Sequence, residues 1–132
     1  MGTQVNLAST PHAASIVSPT AASTSLTAPA NPVTIFTAGA SGSQIFLVRI
    51  LQMLTTSAAG CLNLFLFDGS TYHYWDNYPY GIVTVSTTSE PLAVDIPYAQ
   101  LVLQSGWSLR AADTVAPGGT ANFNLVAIGG DF

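Results

Sequence analysis

Three sets of residues in this chain could carry chemistry, and each has a plainer use. A nucleophilic serine sits in a G-x-S-x-G elbow, and Gly39-Ala40-Ser41-Gly42-Ser43 lacks the second glycine. The run reads as a flexible turn. His12, His73 and Cys61 lie too far apart for metal-ligand spacing. Asp68 and Asp76 could pair as acid and base, but Asp68 opens Asp68-Gly69-Ser70, where turn formation accounts for an aspartate. No phosphate-binding glycine loop occurs. The expectation is a chain that is not an enzyme and holds no metal or cofactor.

One cluster is left, and it is aromatic: Tyr72, His73, Tyr74, Trp75, Tyr78 and Tyr80. Such rings stack on sugars, with Asp76 and Asn77 placed to hold hydroxyls. Alternatively, alternate members fill a core while the others lie at an interface, where Tyr and Trp are favoured. Arg49 stands among apolar residues and needs one of the six acids, on its own chain or a neighbouring subunit.

The stretch Ser43 to Trp75 frames these residues. Between Ile45 and Leu54 only Arg49 and Gln52 interrupt an apolar run. Its β-branched and aromatic content, between Ser-Gly-Ser and Thr-Thr-Ser, predicts a strand over a buried helix. Strict alternation places Ile45, Leu47, Arg49, Leu51 and Met53 on one face, and Phe46, Val48, Ile50, Gln52 and Leu54 on the other. Both faces are apolar, so one meets the core and the other is a candidate subunit interface. Leu62 to Phe67 follows a loop containing Gly60, then turns through Asp68-Gly69 into Thr71 to Trp75 as a hairpin.

Composition bounds the partners. Nearly half of the 132 residues are apolar and 6% are charged, against roughly 25% in ordinary soluble proteins. Lysine is absent, and Arg49 and Arg110 are the only arginines. Two arginines make no basic track, which argues against nucleic acid. No apolar run reaches the ~18 residues of a membrane helix, and no secretory signal is visible. Cys61, the single cysteine, reads as a small buried thiol. So little charge on so apolar a chain points to assembly.

Residues 1–32 form an extended low-complexity arm of Ala, Ser, Thr and Pro, in which Pro11, Pro19, Pro29 and Pro32 forbid a continuous helix. Ordering it costs about 1–2 kcal/mol per residue, so either it is a floppy leader or it orders along an extensive surface. From 33 to 132 the pattern is short strands. Val33–Thr37 comes before the Ser43 stretch. Ile82–Thr87, Leu92–Ile96 (ended by Pro97), Gln100–Leu103, Trp107–Ala111 and Asn122–Ile128 come after it. About eight strands without an amphipathic helix predict an all-β sandwich of jelly-roll type; an immunoglobulin-like sandwich shares the strand count.

Thr34-Ile35-Phe36-Thr37-Ala38-Gly39-Ala40-Ser41-Gly42-Ser43 resembles the opening of a family of small tailed-phage and prophage virion proteins. The resemblance continues, in order and spacing, at Leu64-Phe65-Leu66-Phe67-Asp68-Gly69-Ser70-Thr71-Tyr72 and at Leu101-Val102-Leu103-Gln104-Ser105-Gly106-Trp107-Ser108-Leu109-Arg110-Ala111. It ends at Gly129-Gly130-Asp131-Phe132. Phe46 and Leu47 depart from it, standing where relatives tend to be charged, and the arm is not part of the shared pattern. The resemblance implies a capsid decoration (cement) protein at the head surface, bound to the major capsid protein and to itself as a homotrimer. On that reading the arm contacts the capsid through Val5, Leu7, Ile16, Val17 and Leu26. Copies would meet through Phe46, Arg49, Tyr74 and Trp75. A tail or fibre component and a carbohydrate-binding module remain as alternatives.

Overall fold

The computed structural model describes residues 10–12, 16–56, 58–88, 91–116 and 122–132, the Gln100 side chain excepted. Among them are eight strands: β1 (Thr10–Pro11), β2 (Val33–Thr37), β3 (Ser43–Gln52), β4 (Gly60–Phe67), β5 (Tyr72–Tyr80), β6 (Ala93–Leu103), β7 (Ser108–Asp113) and β8 (Phe123–Asp131). They form a front sheet, β1-β8-β3-β6, and a back sheet, β2-β7-β4-β5. Every pairing is antiparallel. The chain is all-β, and its core lies between the sheets. Ile45, Val48 and Ile50 of β3 and Leu125 of β8 meet Leu62 and Leu64 of β4 and Leu109 of β7, all fully buried. Each such side chain contributes roughly 1.5–3 kcal/mol by leaving water.

Strict alternation along β3 fails at one residue. The register with β8 passes from Ile45↔Gly129 to Leu47↔Ile128, leaving Phe46 as a bulge. An extra residue resets the parity of the strand. Ile45 therefore joins Val48 and Ile50 in the core, while Leu47, Arg49 and Leu51 point outward with Phe46. The grouping of Ile45 with Leu47, and of Phe46 with Val48, is corrected accordingly.

Two strand boundaries also differ from expectation. The expected strands Leu92–Ile96 and Gln100–Leu103 merge into one, β6, which starts at Ala93 and passes through Pro97. Likewise β5 passes through Pro79. Both are edge strands, as is β1 with Pro11, and on an edge a missing N–H need cost no ladder bond. Ile82–Thr87 is not a strand despite its alternation. Its backbone is held by threonines of the β3–β4 connection: Thr56 Oγ1 accepts from the Val83 amide (2.9 Å), the Thr56 amide donates to the Val83 carbonyl (3.2 Å) and Thr55 Oγ1 accepts from the Val85 amide (3.0 Å).

The connections differ by end. Residues 38–42, 68–71 and 104–107 make tight turns at one end, each with a glycine at positive φ. In the second of these, Asp68 accepts from the Ser70 and Thr71 amides at 2.9 and 2.8 Å. The opposite end carries the described parts of the longer connections, 18–32, 53–56 with 58–59, 81–88 with 91–92, and 114–116 with 122.

The described arm is fastened to its own body at several points. β1 continues the front sheet beyond β8, and Val17 exchanges both backbone bonds with Leu125 (3.0 and 2.8 Å). The chain then crosses to the back sheet, where the Ser23 amide donates to the Asp113 carbonyl at 2.7 Å. The sandwich thus begins before Val33. Val5 and Leu7 lie outside the described residues.

Candidate docking surfaces

Register and alternation place Leu47, Arg49 and Leu51 in rows on the outer face of the front sheet. Leu47 lies between Pro97 and Ile128, Arg49 between Asp95 and Val126, and Leu51 between Ala93 and Asn124. Ile16 precedes the inward Val17, so it alternates to the same outer side. Phe46, Leu51 and Ile128 are about 40% exposed, and Val102 and Ile16 more so. One ion pair crosses this apolar field. Arg49 Nε and Nη2 donate to Asp95 Oδ1 and Oδ2 at 2.7 and 2.8 Å. That bond raises the Arg49 pKa and lowers that of Asp95. The partner that Arg49 requires is thus one strand away in its own chain.

The outer face of the back sheet has a different character. Arg110 lies flat over Phe67, 4.0 Å from the ring centroid, and donates to Tyr72 Oη (2.9 Å) and Ser108 Oγ (3.1 Å). Phe65, paired with Tyr74 in register, is fully buried on that side. At the long-connection end Leu26, Leu54 and Ile82 are exposed, each on a different connection. Binding residues concentrate on such connections when a rigid sandwich holds them.

Polar clusters serve the fold. Asp131 Oδ1 accepts from Ser43 Oγ and meets His12 Nδ1 at 2.9 Å, fastening the start of the described arm to β3 and β8. The Ser43 hydroxyl, then His12, hold the Asp131 carboxyl below the usual carboxylate range. This contribution is complete above about pH 4 and is lost only as pH falls through the lower folded value. His12→Ala should increase hydrogen exchange at the Val17 amide while β4 amides stay protected. Equal protection at Val17 would show that the fastening carries nothing. At the tight-turn end His73 Nε2 meets Asp68 Oδ2 at 2.9 Å and the His73 ring stacks on Trp107. His73, the turn amides of Thr71 and Ser70 and the Ser70 hydroxyl together depress the Asp68 carboxyl. Asp68 and Asp76 thus spend their oxygens separately, Asp76 on the Tyr98 hydroxyl (2.9 Å) and the Asn77 amide (2.8 Å). Asn77 Nδ2 in turn donates to Tyr74 Oη. The groups expected to hold sugar hydroxyls are bonded within the chain. Among the described residues no three His, Cys, Asp or Glu side chains group as metal ligands.

Comparison with family models, with curated proteins and with solved structures finds no match to this chain.

The residues expected at one interface are divided among three surfaces. Phe46 and Arg49 share the front outer face, Tyr74 stands on the back one, and Trp75, exposed at the bulge in β5, approaches Tyr98 of β6 across the sheet edges. A single flat contact cannot hold all four. Of the arm residues, Val17 packs against the core, so it is not free to anchor on a shell. Ile16 and Leu26 are exposed, on the front face and at the long-connection end. Sequence reading set Leu51 on a strand face without naming it as a contact, and missed Val102, Asp95, Ile128, Leu54 and Ile82. Strand pairing brings the first four together, and no local pattern contains it.

Proposed function

We propose that this chain is a decoration protein of a tailed-phage head, a jelly-roll body on the outer surface that bridges neighbouring major capsid subunits. The winding is supported by the nested pairs β1·β8, β2·β7, β3·β6 and β4·β5, the order obtained by rolling up one long hairpin with its tip at β4–β5. One observation carries the functional reading. The exposed large apolar residues gather chiefly over the front sheet and at the long-connection end, on a chain with two arginines and no lysine. Contiguous apolar surface of this kind marks docking sites. The resemblance to virion proteins, from Val33 onward, supplies the identity of the shell.

In this reading Leu26, Leu54 and Ile82 meet the capsid, and the arm clamps through exposed side chains while its backbone stays on its own sandwich. Each contact made only on the shell stabilises the assembled head by mass action. The test uses heads stripped of the protein and a Leu54→Glu/Ile82→Glu double variant. These exposed positions should leave folding unchanged, while occupancy at fixed concentration should drop by about tenfold or more. Undiminished occupancy would overturn the assignment of that end. A copy number per particle far below that of capsid subunits would overturn the head location in favour of a tail or fibre component.

A further inference from the structure

We infer that the outer face of the front sheet is a two-fold interface between two copies of this chain. Three observations support it. The face is apolar across adjacent strands, with Phe46, Leu47 and Leu51 of β3 beside Pro97 and Val102 of β6 and Ile128 of β8. Among the described residues its only ionised side chains are Arg49 and Asp95, because Asp131 turns inward to Ser43 and the other described charges belong to the back sheet or its turns. That one cation and one anion lie side by side on adjacent strands, and each is about half exposed.

Those placements fix the geometry. Sheets packed face to face lie ~10 Å apart with interdigitating side chains. A two-fold axis running along the strands between β3 and β6 lays each β3 over the partner's β6. Arg49 then meets Asp95 of the partner subunit, and Asp95 meets the partner's Arg49, so the two intrachain pairs become a ring of four alternating charges. An axis across the strands through the Arg49 row would set like charges opposite each other. A second copy therefore supplies the complementary pattern automatically. β8 and β1, with Ile128 and Ile16, flank the overlap.

A three-fold ring joins two different patches of the surface, whereas a two-fold contact joins one patch to itself. The front face is complementary to itself in charge, so it fits a dimer and not the trimer that the resemblance implies. This inference stands apart from the capsid reading, since the Leu54→Glu/Ile82→Glu variant leaves the front face intact.

Two charge-reversed chains test it, Arg49→Asp and Asp95→Arg, both at exposed positions. Across the proposed axis the first sets acid against acid and the second sets base against base. By sedimentation equilibrium the unaltered protein should dimerise, and each variant alone should associate about 100-fold more weakly. An equimolar mixture should restore a heterodimer, because an all-acidic row then faces an all-basic one. Circular dichroism checks that each variant is folded, and the restored mixture is itself proof of folding. A monomer at high micromolar concentration, a trimer mass, a dimer indifferent to both reversals or a mixture without heterodimer would each overturn the proposal.

Discussion

Gly129→Ala should be strongly destabilising. Gly129 lies in β8 opposite Ile45, beside the Phe46 bulge. A Cβ there would fall inside the van der Waals envelope of the Gln44 carbonyl oxygen, and only 3.1 Å from Gln44 C and Ile45 Cα. All three obstacles are backbone, so no rotamer change relieves them. Either β8 retreats and breaks ladder bonds to β3, or β3 shifts and withdraws Ile45 from the core. Overpacking of this kind costs about 3 kcal/mol or more, which for a domain of this size lowers Tm by roughly 10 °C. Thermal unfolding followed by circular dichroism reads it directly. A shift of a degree or two would mean that the strands separate easily there. Gly69, with open space around it, offers the contrast: alanine there meets no atom, and its cost comes only from the positive φ of the turn.

Asp113 yields the second large effect, with opposite signs for two substitutions. Its carboxyl is buried at the end of β7, where Oδ1 accepts from Tyr80 Oη (2.6 Å) and the Val115 amide (3.0 Å). Burial raises its pKa against the pull of the Tyr80, Val115 and Thr114 hydrogen bonds. The same burial, with Asp113 alongside, pushes the Tyr80 phenol up as well. A carboxyl with a raised folded pKa holds its proton in the native state after the unfolded chain has released it. Stability therefore declines as pH rises from the unfolded value of ~3.9 through the folded one, and the cost is complete above that. Asp113→Asn keeps an acceptor for both donors and removes the charge. It should raise Tm at neutral pH, by an amount that shrinks to nothing below about pH 3.9. Asp113→Ala strands the tyrosine hydroxyl and the Val115 amide, and should cost about 2 kcal/mol or more at either pH. Melting curves of the three proteins at pH 3.5 and 7 decide it. A neutral-pH Tm for Asp113→Asn below that of the parent would refute the burial argument.

Several features were legible because they are local. The Asp68-Gly69 hairpin needs only a turn former between two β-rich runs, and the Ile45–Leu54 run is apolar whatever packs on it. Asp68 Oδ1 then accepts from the turn's own amides. The poverty of charge is likewise a property of composition. Proline was read correctly as a residue that cannot donate and wrongly as a stop at Pro97. Whether a missing N–H matters depends on whether a neighbour lies on that side. Edge position is a fact of the sheet, not of the segment.

The exposed apolar faces were the least legible part. Arg49 announced its need for an acid, but Asp95 is 46 residues away and becomes a neighbour only through the β3·β6 register. The Phe46 bulge inverted the face of Ile45, because one extra residue exchanges inside and outside for half a strand. Val17 and Ile16, adjacent in a low-complexity arm, were divided between core and surface by the bonds to Leu125.

The amino-acid sequence by itself therefore determined an all-β chain with tight glycine turns, a long arm of Ala, Ser, Thr and Pro, and a scarcity of charged side chains. Tertiary structure alone decided which apolar residues remain exposed and which share a face. The physical reason is range: turns and strand propensity arise within a few residues, whereas a face is assembled from strands far apart in the chain, and a single bulge resets which side chains reach it.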